Sequence, residues 1–332
     1  MTPMRPSASH GSLIVGTGHY VPQRVLTNED LTRWMDTSDE WITARTGVKE
    51  RRLAAEDENS GTMALAASRL ALADAGISAA DLDLIIVCTV TPEAALPSTA
   101  CLLQHRLGIA AKGIPAFDLS AACSGFLYGL ASAHAHMQVG PLDHVLLVGV
   151  DLVSRLTDYT SRSTSILFGD GAGAVVLRRT EGGGRGVLYT KLCADGSGHE
   201  LIHATGPWGT GPGGGTAGFM KMDGPKVYKL AVTRMGEVIE DALKACGLSV
   251  AEVDMLIPHQ ANRRIIDLVA HKLGLGGDRV FINIDRLGNT SAASIPIAYD
   301  QCRRAGRIQP NDVVVMAAFG AGLTWGSAVI RA

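Results

Sequence analysis

Aromatic residues make up only 5% of this 332-residue chain, neither sign of charge predominates, and none of the six cysteines has a partner at C-x-x-C spacing. Each shortage excludes something. Cysteines scattered at 88, 101, 123, 193, 246 and 302 suggest neither a disulfide framework nor a zinc knuckle. With 30 Lys plus Arg against 32 Asp plus Glu, the net charge is −2. A nucleic-acid or anionic-membrane binder would be expected to carry a basic excess. The longer apolar stretches, such as 84–90 and 145–150, fall far short of the ~20 residues that span a bilayer. The opening MTPMRPSASHGS has no apolar core of a secretory signal. The expectation is a soluble cytoplasmic protein with no nucleic-acid or membrane partner.

What is present is an ordinary globular balance, 46% hydrophobic and 19% charged. The chain exceeds the roughly 250–300 residues at which one core stops growing, so two packed halves are expected. Short β-branched runs alternate with Ala-rich amphipathic segments, the rhythm of α/β layering. Strands are expected at 13–16, 84–89, 116–119, 145–150, 174–177, 255–257, 280–284, 313–318 and 327–330. Helices are expected at 28–35, 38–46, 62–75, 99–107, 124–137, 227–246, 262–273 and 292–305. The halves rhyme. Ala80-Asp-Leu-Asp-Leu-Ile85 and Ala251-Glu-Val-Asp-Met-Leu-Ile257 each lead from a Gly-ended helix into a strand, as a duplicated unit would. The glycine-rich stretches 182–186 and 206–218 break the rhythm, and the boundary is placed between 1–182 and 183–332.

Two motifs imitate known sites. His199-Glu-Leu-Ile-His203 fits H-E-x-x-H, whose chemistry needs both imidazoles on one helical face. Gly196, Gly198 and the following Gly206-Pro207 leave no room for that helix, so a short extended segment is expected and no metal. Gly209, Gly211 and Gly214 fit G-x-G-x-x-G without the strand before it or the helix inside it that the dinucleotide fingerprint requires.

Three polar residues stand at equivalent corners instead. Cys123 lies where the strand 116–119 turns into a helix beginning near Ser124. Backbone N–H groups and the helix dipole there lower a thiol pKa from ~8.5. Small neighbours Ala121, Ala122, Ser124 and Gly125 admit a substrate. His259 follows the strand 255–257, and Asn289 lies in Gly288-Asn-Thr-Ser-Ala-Ala-Ser294 after the expected strand 280–284.

Nearly end to end, the chain resembles the β-ketoacyl-acyl carrier protein synthase III family. The resemblance runs through Gly16-Thr-Gly18, Thr37-Ser-Asp-Glu-Trp-Ile42, Arg45-Thr-Gly47, Asp118 to Gly125, Phe168-Gly-Asp-Gly-Ala-Gly173, His259-Gln-Ala-Asn262, Gly288 to Ser294 and Thr324-Trp-Gly-Ser327. It implies a thiolase-like five-layer αβαβα fold from duplicated halves, assembled as a homodimer. It also implies a condensation of an acyl-CoA primer with malonyl-acyl carrier protein, with loss of CO2, at the start of fatty acid synthesis. Cys123 would carry the acyl group, and His259 and Asn289 would donate to the malonyl thioester oxygen. Backbone N–H groups of Cys123 and Ala321 would form a second oxyanion hole; Ala321 stands where the family usually has Gly. Trp41, Arg45 and Arg162 match CoA adenine positions, and Asn262 and Phe319 match the pantetheine arm. Gln260, Ala261, Asn262, Arg263, Arg264 and Lys272 match the carrier-docking segment. Leu96 matches a position where many relatives place a bulky aromatic that closes the acyl pocket, so the primer implied is acetyl-CoA or a short, branched or longer acyl-CoA. CoA enters as substrate, and no cofactor or metal is implied.

Rival readings exist. Papain-like peptidases also run Cys…His…Asn with His ~130–150 residues after Cys, but their C-G-S-C-W surround is missing. A divergent homologue passing acyl groups to another acceptor in secondary metabolism keeps the resemblance, as does a non-catalytic partner subunit. The intact trio argues against the last.

Overall fold

The computed structural model describes residues 10–182, 184–205 and 218–332. Two mixed sheets organise them. In the first, the strand order is Gly11–Tyr20, Asp170–Thr180, His144–Leu152, Leu84–Cys88, Ala116–Leu119. The last three are mutually parallel, and the first two run antiparallel to their neighbours. The second sheet repeats the order with Gly186–Ala194, Thr324–Arg331, Val313–Gly320 and Met255–Pro258, and the senses match.

The strands sort their side chains by the period of two that a pleat imposes. Leu84, Ile86 and Cys88 share a central core with Val145, Leu147, Met255, Ile257, Val314 and Met316. That core is filled by the helices Gly125–Val139 and Ser294–Arg304 between the sheets, through Phe126, Leu130, Ile295 and Tyr299. Ile85, Val87, Leu146 and Val148 face the other way, onto the helices Ser60–Ala75 and Thr99–Arg106. Val313, Val315 and Val329 pack on the helices Gly224–Ala245 and Arg263–Lys272. The result is five layers, helix–sheet–helix–sheet–helix. Each fully buried Leu, Ile or Val contributes about 1.5–3 kcal/mol, so sheets covered on both faces hold the body together.

Strand placement followed the expectation at eight of the nine sites, and 280–284 departs from it. Val280 makes one isolated parallel bridge to Leu256, Phe281 N–H donates to Leu256 O at 3.0 Å, and Ile284–Leu287 is then a short helix. The ladder stops because the Gln260 side-chain oxygen takes the next amide, Asn283 N–H, at 3.0 Å. The helix expected over 28–35 is regular only from Asn28 to Leu31. The antiparallel pair of Arg24–Thr27 with Glu50–Leu53 and the strand Gly186–Ala194 go beyond the expectation. The fingerprint-like Gly209, Gly211 and Gly214 lie outside the described residues.

Candidate active site

The strand Ala116–Leu119 runs through Ser120 and Ala121 into a 3-10 turn, Ala122–Ser124, that continues as the helix from Gly125. Ala122 adopts φ +47°, a left-handed conformation that costs a non-glycine residue of order 1–2 kcal/mol. The sharp turn presents Cys123 to a cavity of about 790 Å³. Thr324 holds the turn, its hydroxyl donating to Ala121 O at 3.0 Å, while Ser124 Oγ donates to Thr324 O at 3.0 Å. Gly320 is required on the facing strand. A Cβ there would lie 2.8 Å from Cys123 Cβ and 2.9 Å from its backbone nitrogen. This close approach brings Ala321 to the cavity wall beside Cys123.

His259 and Asn289 reach the same cavity from the second half. His259 is 1% exposed, its N–H bonded to Ala317 O at 2.8 Å and its Nδ1 2.6 Å from Ser294 Oγ. Its Nε2 is buried and has no hydrogen-bond partner among the described residues. Asn289 is fixed by its backbone, N–H to Leu167 O at 2.8 Å and O from Gly169 N–H at 3.0 Å. Its Oδ1 accepts Ser291 N–H at 2.9 Å, which leaves the Nδ2 donors for a ligand.

Burial sets the electrostatics. It depresses the His259 pKa to about 3, so the imidazole is neutral at physiological pH. It pushes the Cys123 thiol up to about 12, although the Ser291 hydroxyl and the residue's own backbone N–H pull downward. The lowered thiol pKa expected from a helix N-terminus is therefore overturned, because the sulfur is desolvated more than the turn's donors compensate. Neutral His259 is suited to donate a hydrogen bond, not to supply a positive charge.

Sequence reasoning passed over Asp151. It is fully buried near the nucleophile. Its Oδ1 accepts Val90 N–H at 2.8 Å, Thr89 Oγ1 at 3.1 Å and Thr91 Oγ1 at 3.2 Å, and its Oδ2 accepts Ala292 N–H at 3.1 Å. It thus ties the strand His144–Leu152 to the turn that carries Asn289. A lone acid closing the apolar run 145–150 was the available signal. The apolar wall of Val153, Leu156, Ile166, Phe168 and Met220 was missed as well, since nothing in sequence distinguishes it from core.

At the mouth, the helix Asp39–Thr46 is capped by Ser38, whose Oγ accepts Trp41 N–H, and ends at Gly47 with φ +78°. Trp41 and Arg45 stand on it. The Arg45 and Arg162 guanidinium carbons each lie 4.4 Å from the Trp41 ring centroid. Asn262 caps the helix Arg263–Lys272 by accepting Arg264 N–H at 2.8 Å, and donates to Arg45 O at 3.0 Å. Phe319, Ala261, Asn262, Arg45 and Arg264 line the cavity. Arg263 and Lys272 are exposed, Arg263 pairing with Asp267 at 2.7 Å.

One assignment needs correction. Gln260 is 1% exposed and its amide donates inward to Pro258 O and Phe281 O, so it holds the turn and offers nothing to a docking partner. Leu96 is 87% exposed in the single chain, on the outer turn before the Ser98 cap. His199 and His203 do not form a zinc site. The segment splits between the 3-10 helix Gly196–Leu201 and the strand Ile202–His203, and each Nδ1 turns to a local carbonyl. No cluster of three metal-ligating side chains occurs among the described residues.

Comparison with known proteins agrees with this geometry. The family model for 3-oxoacyl-[acyl-carrier-protein] synthase III matches residues 117–196, and that for its C-terminal region matches 243–332. The chain is 50% identical to β-ketoacyl-[acyl-carrier-protein] synthase III of Rhodospirillum centenum over 96% of its length and 98% of the relative's. It superposes on the crystal structure of the synthase III from Aquifex aeolicus with a TM-score of 0.91 at 46% identity, covering 97% of this chain and all of that one. The Thermus thermophilus structure gives 0.92 at 42% identity, covering 97% and 99%. The chain belongs to the β-ketoacyl-[acyl-carrier-protein] synthase III family, the acyl-transferring condensing enzymes that initiate fatty acid synthesis.

Proposed function

We propose that Cys123 attacks an acyl-CoA thioester: a new C–S bond forms, the bond to CoA breaks, and the thiol proton ends on the departing CoA. Malonyl-acyl carrier protein then enters the same cavity. Its bond between Cα and the carboxylate breaks, CO2 leaves, and the electron pair passes into an enolate whose oxygen accepts hydrogen bonds from His259 Nε2 and Asn289 Nδ2. The enolate carbon attacks acyl-Cys123. Backbone N–H groups of Cys123 and Ala321 hold the tetrahedral oxyanion, which collapses to 3-oxoacyl-acyl carrier protein and a Cys123 thiolate that regains a proton. The observation that carries this reading is the convergence of Cys123, His259 and Asn289 on one cavity, with the outward nitrogens of the last two without hydrogen-bond partners among the described residues.

Trp41, Arg45 and Arg162 take the CoA head by stacking and cation–π contact, and Asn262 and Phe319 take the pantetheine arm. The reaction calls for no cofactor. Arg264 at the mouth, with Arg263, Ala261 and Lys272, receives an acidic carrier protein by electrostatic steering. A second copy of the chain pairs along the edge strand Ala116–Leu119, and the neighbouring exposed Leu96 is buried there. The enzyme works in the cytoplasm; no helix among the described residues is long and apolar enough to cross a membrane.

The apolar wall of Val153, Leu156, Ile166, Phe168 and Met220 leaves room for primers beyond acetyl. Intact-protein mass after mixing with acetyl-, isobutyryl- and octanoyl-CoA, followed by digestion, is expected to place a thioester on Cys123. The branched or longer chain should be retained at least as well as acetyl. Acetyl winning by a wide margin would refute the primer reading, and no adduct from any acyl-CoA would refute the mechanism.

A further inference from the structure

Ser294 begins the helix Ser294–Arg304, in the layer between the two sheets, and is 2% exposed. Its hydroxyl oxygen lies 2.6 Å from His259 Nδ1. A ring nitrogen and a hydroxyl can bond in either direction, and the two directions give His259 opposite chemistry. If Nδ1 donates, Nε2 carries a lone pair and the ring is a base toward the cavity. If Ser294 donates, Nε2 carries the proton and the ring is a donor.

The surroundings of Ser294 decide between them. Gln260 backbone N–H also points at Ser294 Oγ, at 3.5 Å. A backbone N–H only donates, so this contact occupies a lone pair of the hydroxyl and leaves its proton for Nδ1. In the reverse arrangement Ser294 would accept twice, and its own proton would have no acceptor among the described residues. A buried donor left unmade costs about 1–3 kcal/mol, which tips the tautomer the other way. The main chain of His259 is itself fixed, its backbone N–H donating to Ala317 O at 2.8 Å.

We propose that Ser294 is a positioning residue that sets the tautomer of His259, donating to Nδ1 and thereby placing the imidazole proton on Nε2, where the malonyl thioester oxygen is to be met. The proposal deepens the reading of His259 as an enolate donor and rests on it. Ser294 touches no substrate. It acts through His259 alone, and Asn289, fixed separately by Ser291 N–H, is the second donor that remains when Ser294 is lost.

The test combines a signature independent of activity with a rate. In uniformly 15N-His-labelled enzyme, the His259 signals are identified by their loss in His259→Asn. The wild type should show a pyrrole-like Nε2 and a pyridine-like Nδ1. Ser294→Ala should lose that asymmetry, and Ser294→Thr, which keeps the hydroxyl, should restore it. Decarboxylation of malonyl-loaded acyl carrier protein, measured in a Cys123→Ala background, should fall about 10- to 100-fold in Ser294→Ala and recover in Ser294→Thr. Thermal melting of each variant separates loss of fold from loss of tautomer. A pyridine-like Nε2 in the wild type overturns the proposal, as does Ser294→Ala decarboxylating at the parent rate. A wild-type pattern as expected, in an enzyme that decarboxylates nothing, leaves the tautomer assignment standing and removes the catalytic reading instead.

Discussion

Replacing Gly320 by alanine tests the packing that aims the nucleophile. The added Cβ would meet Cys123 Cβ at 2.8 Å, Cys123 N at 2.9 Å and Cys123 Cα at 3.2 Å. The clashing atoms are backbone or backbone-attached, so no flexible side chain can swing aside. Reaching ordinary contact near 3.4 Å requires a displacement of about 0.6 Å at the nucleophile turn. Two effects on stability compete. Overpacking a close-fitted interior costs about 1–3 kcal/mol. Removing a glycine restricts the unfolded chain and returns roughly 0.4–1 kcal/mol. The net cost is about 1–2 kcal/mol. Catalysis should suffer more, since a misplacement of ~1 Å costs on the order of 100-fold. Acyl transfer to Cys123, followed by intact mass on a quenched time course, should slow about 10- to 100-fold. The control is Gly236→Ala in the helix Gly224–Ala245, where a Cβ meets nothing within 4 Å. That change should raise stability by roughly 0.8–1 kcal/mol, the helix penalty of glycine, and leave acylation as it was. If Gly320→Ala acylates and melts like the parent, the argument that the strand end fixes Cys123 is wrong.

The pH dependence and the CoA site give further tests. Because burial lowers the His259 pKa to about 3 from its ordinary ~6.5, the unfolded state binds a proton below about pH 6.5 that the folded state refuses, and stability falls with acid. Denaturant titrations should show the wild type losing about 1–2 kcal/mol more than His259→Asn between pH 6.5 and 5, and an equal loss in both would contradict the assignment. For the same reason, malonyl decarboxylation in Cys123→Ala should show no limb near pH 6.5 that disappears with the histidine. Trp41→Ala removes the ring that both Arg45 and Arg162 cover at 4.4 Å. The KM for acyl-CoA should rise about tenfold with a much smaller change in kcat, the mark of lost uniform binding. A fall in kcat at constant KM would place Trp41 elsewhere in the cycle.

The sequence alone determined the layered α/β class and most of the strands, because alternation and short β-branched runs report burial on both faces wherever they occur. It also brought out Cys123 and His259, each a polar residue where a strand gives way to a helix, and Asn289, although the strand expected before it is a short helix instead. Tertiary structure decided the rest. The run 280–284 reads as a strand, yet a single side chain 23 positions away, Gln260, takes the amide that the ladder needed. The thiol of Cys123 stands at a helix start, but its protonation follows from how many distant atoms exclude water from it. Gln260 sits in a segment with the right neighbours and points inward, opposite to the way expected. His259 donates or accepts according to a hydroxyl 35 residues away. Periodicity records which faces a segment buries. It does not record which residue of another segment arrives there, and charge state, side-chain direction and tautomer all depend on that arrival.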